Sequence, residues 1–179
     1  HLIYRVPGVM GAGTSLMMQA VEAGGLPVVR NEARDQITSF HGGVVYQANP
    51  AGLYEVSFEE MQQVGFPCQH DGKALKCVVA WLGLLSAHVY RVVFMRRESD
   101  QVVASAWRAF RIRVTSDDIR LWTHQGVKTL ENRRDVQDIQ YVEYADLVSD
   151  PALVLKRLDW PIDAGVAAKV INPEWHRCR

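Results

Sequence analysis

The stretch "GVMGAGTS", Gly8 to Ser15, follows the apolar run Leu2 to Val6 and precedes "TSLMMQAVEAGG", in which Leu16, Met17, Ala20 and Val21 recur at helical spacing before Gly24-Gly25. A strand, a glycine-rich turn and a helix starting near Thr14 are therefore expected, with Pro7-Gly8 ending the strand. Such a turn gathers backbone N–H groups at the positive end of a helix dipole, which suits a phosphate or sulfate. Gly11 and Gly13 permit backbone angles that side chains hinder, while Thr14 and Ser15 add hydroxyl donors. The glycines have the spacing of a Walker A loop, G-x-x-x-x-G-K-[ST], but Thr14 stands where the lysine belongs. A strand-to-helix turn that merely needs glycines is the plainer alternative.

Beyond this loop the chain reads as alternating strands and helices. Leu26 to Val29 is a short apolar run, and residues 30–56 read as loop, with His41-Gly42-Gly43 and Asn49-Pro50-Ala51-Gly52 as turn signals. Ser57 opens a short helix, with Glu60 completing a capping box. "ALKCVVAWL" (74–82), "VYRVVFM" (89–95) and "IQYVEY" (139–144) read as strands; residues 99–113 and 117–134 read as helices. From Asp146 onward the chain looks helical, interrupted at Pro151, Pro161 and Pro173. This alternation predicts an α/β fold of three α/β/α layers around a mostly parallel central sheet, in one domain over residues 1–179. Ligands in such sheets sit at the carboxyl ends of strands. The 8–15 loop and the Arg96-Arg97 pair both fall there.

Composition narrows the classes further. Of 179 residues, 48% are hydrophobic and 22% charged, which is too apolar for disorder. The net charge is zero, so nothing global points to nucleic acid, and an anion site has to be a local cluster of basic groups. No apolar run reaches the ~18 residues of a membrane span, and no signal peptide is read; the leading His1 reads as a tag remnant. Three scattered cysteines, Cys68, Cys77 and Cys178, suit a reducing cytoplasm. Cys68-Gln-His70 and His176-Arg-Cys178 lack zinc-site spacing and read as solvated loops, so no metal is expected. A nucleoside triphosphatase would want the missing lysine and an acidic strand end, but "VYRVVFM" runs into arginines.

Four segments, "GAGTSLMMQAVEAGGLPVV", "NPAGLYEV", "VVFMRRESDQVVAS" and "YVEYADLVSDP", taken in order over Ile3 to about Leu158, resemble the bacterial and phage branch of the sulfotransferases. The resemblance implies a P-loop NTPase-like sulfotransferase fold. It also implies metal-free transfer of a sulfuryl group from 3′-phosphoadenosine 5′-phosphosulfate to an acceptor hydroxyl or amine. The family's first motif lies over Met10, Gly11, Ala12, Gly13, Thr14 and Ser15 and would bind the 5′-phosphosulfate. Its second motif, an arginine at a strand end and a serine eight residues further, falls on Arg97 and Ser105, which would hold the 3′-phosphate. A forked guanidinium and a returning helix hydroxyl suit that group physically. Arg91, Arg108, Arg111 and Arg113 make the surroundings the most basic stretch of the chain.

Three departures stand out. Gly11 replaces the motif's basic residue and Ala12 its serine; losing a transition-state contact of that kind costs on the order of 10²–10³ in rate. Where cytosolic members carry Lys-Thr-His with a histidine base, this chain has Lys76-Cys77-Val78. Branches with a carboxylate base place it a fixed distance past the basic position, and the same count from Gly11 falls on Glu32, with Arg30 and Arg34 beside it. Glu55 is the next carboxylate in line, ahead of His41 and His70. A carboxylate is a reasonable base because the attacking oxygen must lose its proton. Three expectations follow: a small cytoplasmic sulfotransferase with Glu32 as base and a small-molecule, glycan or lipid acceptor; a catalytically inactive nucleotide binder on the same fold; or a divergent P-loop kinase.

Overall fold

β1 (Ile3–Gly8) is buried along its whole length, which requires cover on both faces of the sheet that holds it. The computed structural model, which describes residues 2–31, 38–41, 44–47, 52 and 54–172, places it second in a four-stranded sheet. Its companions are β4 (Ala74–Val78), β5 (Tyr90–Arg96) and β6 (Val136–Glu143). The order is β4-β1-β5-β6 and every pairing is parallel. In this register Val6 lies opposite Lys76, and Gly8 opposite Val78. A separate antiparallel pair is formed by β2 (Thr38–His41) and β3 (Val44–Gln47).

The pleat sorts alternate residues to the two faces. Tyr4, Val6, Val93, Met95 and Val142 share one buried cluster with Met17, Met18 and Val21 of α1 (Thr14–Ala23). Leu147 of α6 (Tyr144–Ser149) and Leu155 of α7 (Pro151–Arg157) complete it. Each such side chain, fully buried, contributes about 1.5–3 kcal/mol. Ile3, Leu75, Val92 and Phe94 share the other cluster with Met61 of α2 (Phe58–Met61) and Phe66 of α3 (Phe66–Gln69). Leu82 of a 3-10 helix (Val79–Leu84) and Leu130 of α5 (Ser116–Glu131) close that face. Helices α4 (Ser99–Phe110) and α8 (Ala164–Ala168) complete the described elements. The chain is thus an α/β protein with an all-parallel central sheet, an arrangement compatible with three α/β/α layers. No helix among the described residues is long and apolar enough to cross a membrane.

Several sequence expectations need correction in detail. The run 74–82 is not one strand: its ladder with β1 ends where β1 ends, at Gly8↔Val78, and the chain coils into the 3-10 helix. The run at 26–29 forms only a bridge from Val28 to Ala74. The helix read over 99–113 stops at Phe110, because Arg111 turns left-handed (φ 54°) and returns its N–H to the Trp107 carbonyl. Residues 30–56, read as loop, include the β2–β3 pair. The Ser57–Glu60 capping box is present as read.

Candidate functional site

The strand-to-helix loop is built on three glycines that a side chain would disturb. A Cβ on Gly8 would lie 2.8 Å from Thr14 Cγ2, so strand end and helix start are pressed together. Gly11 and Gly13 adopt φ 86° and 98°, in the left-handed region that costs an L-residue roughly 1–2 kcal/mol. A Cβ on Gly13 would also fall 2.4 Å from a Tyr144 ring carbon. Ala12 is fully buried and gives its N–H to the Val9 carbonyl at 3.0 Å. Gly13 caps α1 without a side-chain hydrogen bond, and the first turn holds no acidic residue. The helix therefore presents its first amides and positive dipole end with no built-in anion to oppose them.

Arg97 and Ser105 meet the loop from the β5 side. Arg97 donates from Nη1 to the Gly11 carbonyl at 3.0 Å and from Nε to Gln101 at 3.1 Å, with its guanidinium 4.0 Å above the Tyr144 ring. Ser105, on α4, has both Cβ and Oγ 3.2 Å from where a Gly11 Cβ would be. The structure thus brings together Gly11, Ala12, Gly13, Thr14, Ser15, Arg97 and Ser105. The other arginines of the stretch divide differently. Arg96 pairs with Glu143 at 2.5 Å, and Arg91 pairs with Asp159 at 2.6 Å near the opposite end of β5. Arg111 and Arg113 flank the Trp107 ring.

Sequence reading missed Lys76. It sits in the middle of β4, only 6% exposed, and its ammonium donates to Ser15 Oγ at 3.0 Å and to Glu55 Oε1 at 2.9 Å. A cation absent from the loop at Gly11 is thus present beside it, carried by the neighbouring strand. The available signal was a lone charge inside an apolar strand, a residue type seldom buried without a partner. Glu55 is fixed by the segment before α2. Tyr54 is 2% exposed and left-handed at φ 57°, a sparsely populated conformation for a bulky residue. Its hydroxyl donates to Glu22 Oε2 at 2.8 Å and accepts from Arg30 Nη2 at 2.8 Å. Arg30 forks onto the Glu22 carboxylate and lies 4.3 Å over the Tyr54 ring. The last turn of α1 thereby clamps Tyr54, which sets the adjacent Glu55 against Lys76.

The remaining candidates separate from the loop or fall outside view. Glu32 lies outside the described residues. His41 ends β2, and its side chain is likewise outside them. His70 stands at the end of α3, edge-on to Phe66 at 4.5 Å, where Gly72 donates to the Leu2 carbonyl at 2.7 Å. That is the amino-terminal edge of the sheet, the far end from the loop, so His70 does not serve this site. Burial, seconded by Lys73, pushes it below the usual histidine range.

On the loop's other flank, a cavity of about 890 Å³ opens between α5 and the 3-10 helix, with Val9 and Met10 in its wall. No protein-family model matches the chain, and no curated protein matches its sequence.

Proposed function

We propose that this chain is a sulfotransferase that moves a sulfuryl group from 3′-phosphoadenosine 5′-phosphosulfate to an acceptor hydroxyl or amine. We further read the β1–loop–α1 unit as the phosphate loop of a P-loop NTPase-like sulfotransferase fold. The observation that carries the proposal is the pair of basic positions on opposite sides of one loop. The order β4-β1-β5 sets Lys76, on Ser15, to one side and Arg97, with Ser105, to the other. A donor with phosphate at two separate positions uses both. The helix start and Lys76 would hold the 5′-phosphosulfate, and Arg97 and Ser105 the 3′-phosphate.

In the reaction the acceptor oxygen or nitrogen bonds to sulfur as the bond from sulfur to the bridging oxygen breaks. The electron pair leaves with the adenosine bisphosphate, and the acceptor's proton passes to a carboxylate. Glu32 is that base in this reading. Glu55, bonded to the Lys76 ammonium at 2.9 Å, serves to aim it. Lys76 can meet the negative charge that develops on the departing oxygen, the kind of preorganised contact that Gly11 cannot supply. Gly11 favours the second reading, a nucleotide binder without catalysis. The two free thiols described, Cys68 and Cys77, support a reducing, cytoplasmic setting.

The test combines calorimetry with turnover. Adenosine 3′,5′-bisphosphate is expected to bind without magnesium, and Arg97→Ala to weaken it about tenfold or more, as loss of a charge-assisted contact does. Glu32→Gln is expected to abolish turnover of labelled phosphosulfate with bisphosphate affinity intact. Magnesium-dependent ATP binding in place of bisphosphate binding would instead establish the kinase reading. Turnover absent from the wild-type chain across hydroxyl and amine acceptors, with bisphosphate bound, would establish the inactive binder.

A further inference from the structure

We infer that the corner where α4 ends, built on Trp107, Arg111, Ile112 and Arg113, is a docking surface for an anionic lipid bilayer. Nothing in it depends on the sulfuryl-transfer reading. Sequence supplies the charge. From Gln101 to Ser116 the chain has three arginines, Arg108, Arg111 and Arg113, and no acidic residue, in a protein whose net charge is zero. The acids on either side gather at the start of α5. There Asp118 accepts from Thr115, Asp117 pairs with Arg120, and Asp100 of α4 accepts the Ser116 hydroxyl. A confined positive spot on a neutral chain suits a surface of negative charge better than a long polyanion.

Local structure brings the groups together. Val102 and Ala106 bury one side of α4 and Ser105 turns to Gly11, which leaves Trp107 and Arg108 exposed. The helix stops at Phe110, and Arg111 takes φ 54°. Glycine fits such a helix end without steric cost, so the cap itself gives no reason for a large cation there. The guanidiniums of Arg111 and Arg113 lie 5.5 and 5.7 Å from the centroid of the Trp107 ring. Trp107 is 42% exposed and Ile112 40%, two large apolar side chains among the arginines.

Chemistry then selects the occupant. An indole settles at the level of lipid headgroups, where its ring meets acyl chain and its N–H stays wet. Arginine lays its stem along apolar surface while its guanidinium reaches phosphate. Ile112, an aliphatic side chain between two arginines in sequence, gains from an acyl layer and offers a nucleobase no ring to stack on. Single-stranded nucleic acid also favours an indole among arginines, but it follows a positive groove several nucleotides long. Here the charge is confined to residues 107–113. An acidic peptide would take the arginines and leave Trp107 and Ile112 in water.

The test is co-sedimentation of the full chain with vesicles of mixed phosphatidylcholine and phosphatidylglycerol, beside vesicles of phosphatidylcholine alone. The chain is expected to sediment with the anionic vesicles and to stay in solution with the neutral ones. Arg111→Gln and Arg113→Gln should each weaken binding about fivefold, the value of one basic residue at an anionic surface. Trp107→Ala should weaken it about tenfold. Arg111→Gly should keep the melting temperature, because glycine tolerates the left-handed angle, yet weaken binding as Arg111→Gln does. No binding to anionic vesicles, equal binding to neutral ones, or binding indifferent to the arginine variants would overturn the inference. Binding lost in the arginine variants but unchanged in Trp107→Ala would overturn it in favour of plain charge. Tight binding of single-stranded oligothymidylate by fluorescence anisotropy, in place of vesicles, would assign the corner to nucleic acid instead.

Discussion

Replacing Lys76 by methionine tests the proposal that the neighbouring strand supplies the cation of the Gly8–Ser15 loop. The side chain keeps most of its length and its place in β4, so the packing change is small. What is lost is an ammonium 3.0 Å from Ser15 and 2.9 Å from Glu55. At about 4 Å and an effective dielectric constant near 20, an ammonium and an anion attract by about 4 kcal/mol before desolvation. The net value of a hydrogen bond to a charged group is about 1.5–3 kcal/mol. Affinity for adenosine 3′,5′-bisphosphate should therefore fall roughly 10- to 150-fold.

Stability should fall too, because Glu55 loses the ammonium that lies 2.9 Å from it. Breaking a fully buried pair costs about 3–5 kcal/mol. Glu55 keeps 21% of its side chain in solvent, which lowers the expectation to about 1–2 kcal/mol. The double variant Lys76→Met/Glu55→Gln separates the two effects. Neutralising the carboxylate that faced the ammonium should return part of the stability while leaving the affinity low. Urea denaturation and calorimetry on the single and double variants read both quantities. If Lys76→Met melts cooperatively and binds the bisphosphate within twofold of wild type, Lys76 has no part in anion binding. Recovery of affinity in the double variant would show that Glu55, not the missing cation, caused the loss.

Gly13→Ala should destabilise by about 2 kcal/mol or more, because φ 98° is combined with a ring carbon 2.4 Å from the new methyl. Gly25→Ala, at φ 96° with nothing within 4 Å, should carry the backbone cost alone, and a chevron or melting comparison of the two checks the difference. His70 yields a pH signature. Burial and Lys73 lower its pKa against the opposing pull of Glu60, so the unfolded chain takes up a proton that the folded chain refuses. That contribution is complete above the unfolded histidine value of about 6.5 and is lost as pH falls from there through the lower folded value. Urea midpoints at pH 7.5 and 5.5 should converge in His70→Gln relative to wild type. Asp118 and Asp135, whose pKa values are lowered by Thr115 and Arg133 respectively against desolvation, act only below about pH 4 and leave this window clear.

How much was legible follows the range of the interactions. The β1–loop–α1 unit is local: alternating burial, glycines at the turn and a 3.6-residue period all act within about 20 residues, and its reading needed no partner. Arg97 and Ser105 were legible for the same reason, since a strand end and the next helix turn lie close in sequence. The run 74–82 was misjudged because its apolar residues do not say where a neighbour's ladder stops; Gly8 decides that from 70 residues away. Arg5 shows the same limit. It is 1% exposed and lies 4.3 Å over the Tyr90 ring, a contact that exists only because β1 and β5 are adjacent.

Lys76 is the consequential case. Its bond to Ser15 joins residues 61 apart in sequence, and nothing near Lys76 announces that β4 lies beside β1 rather than β6. Reading the loop alone turns Gly11 into a defect. With the strand order known, Gly11 has a separate reason to be glycine: its φ of 86° and the Ser105 side chain 3.2 Å from its Cβ position leave no easy place for a lysine there. Gly11→Lys should therefore strain the loop and lower the melting temperature. In the sulfuryl-transfer reading the cation is then supplied by Lys76, because β4 runs parallel to β1 and sets its ammonium 3.0 Å from Ser15.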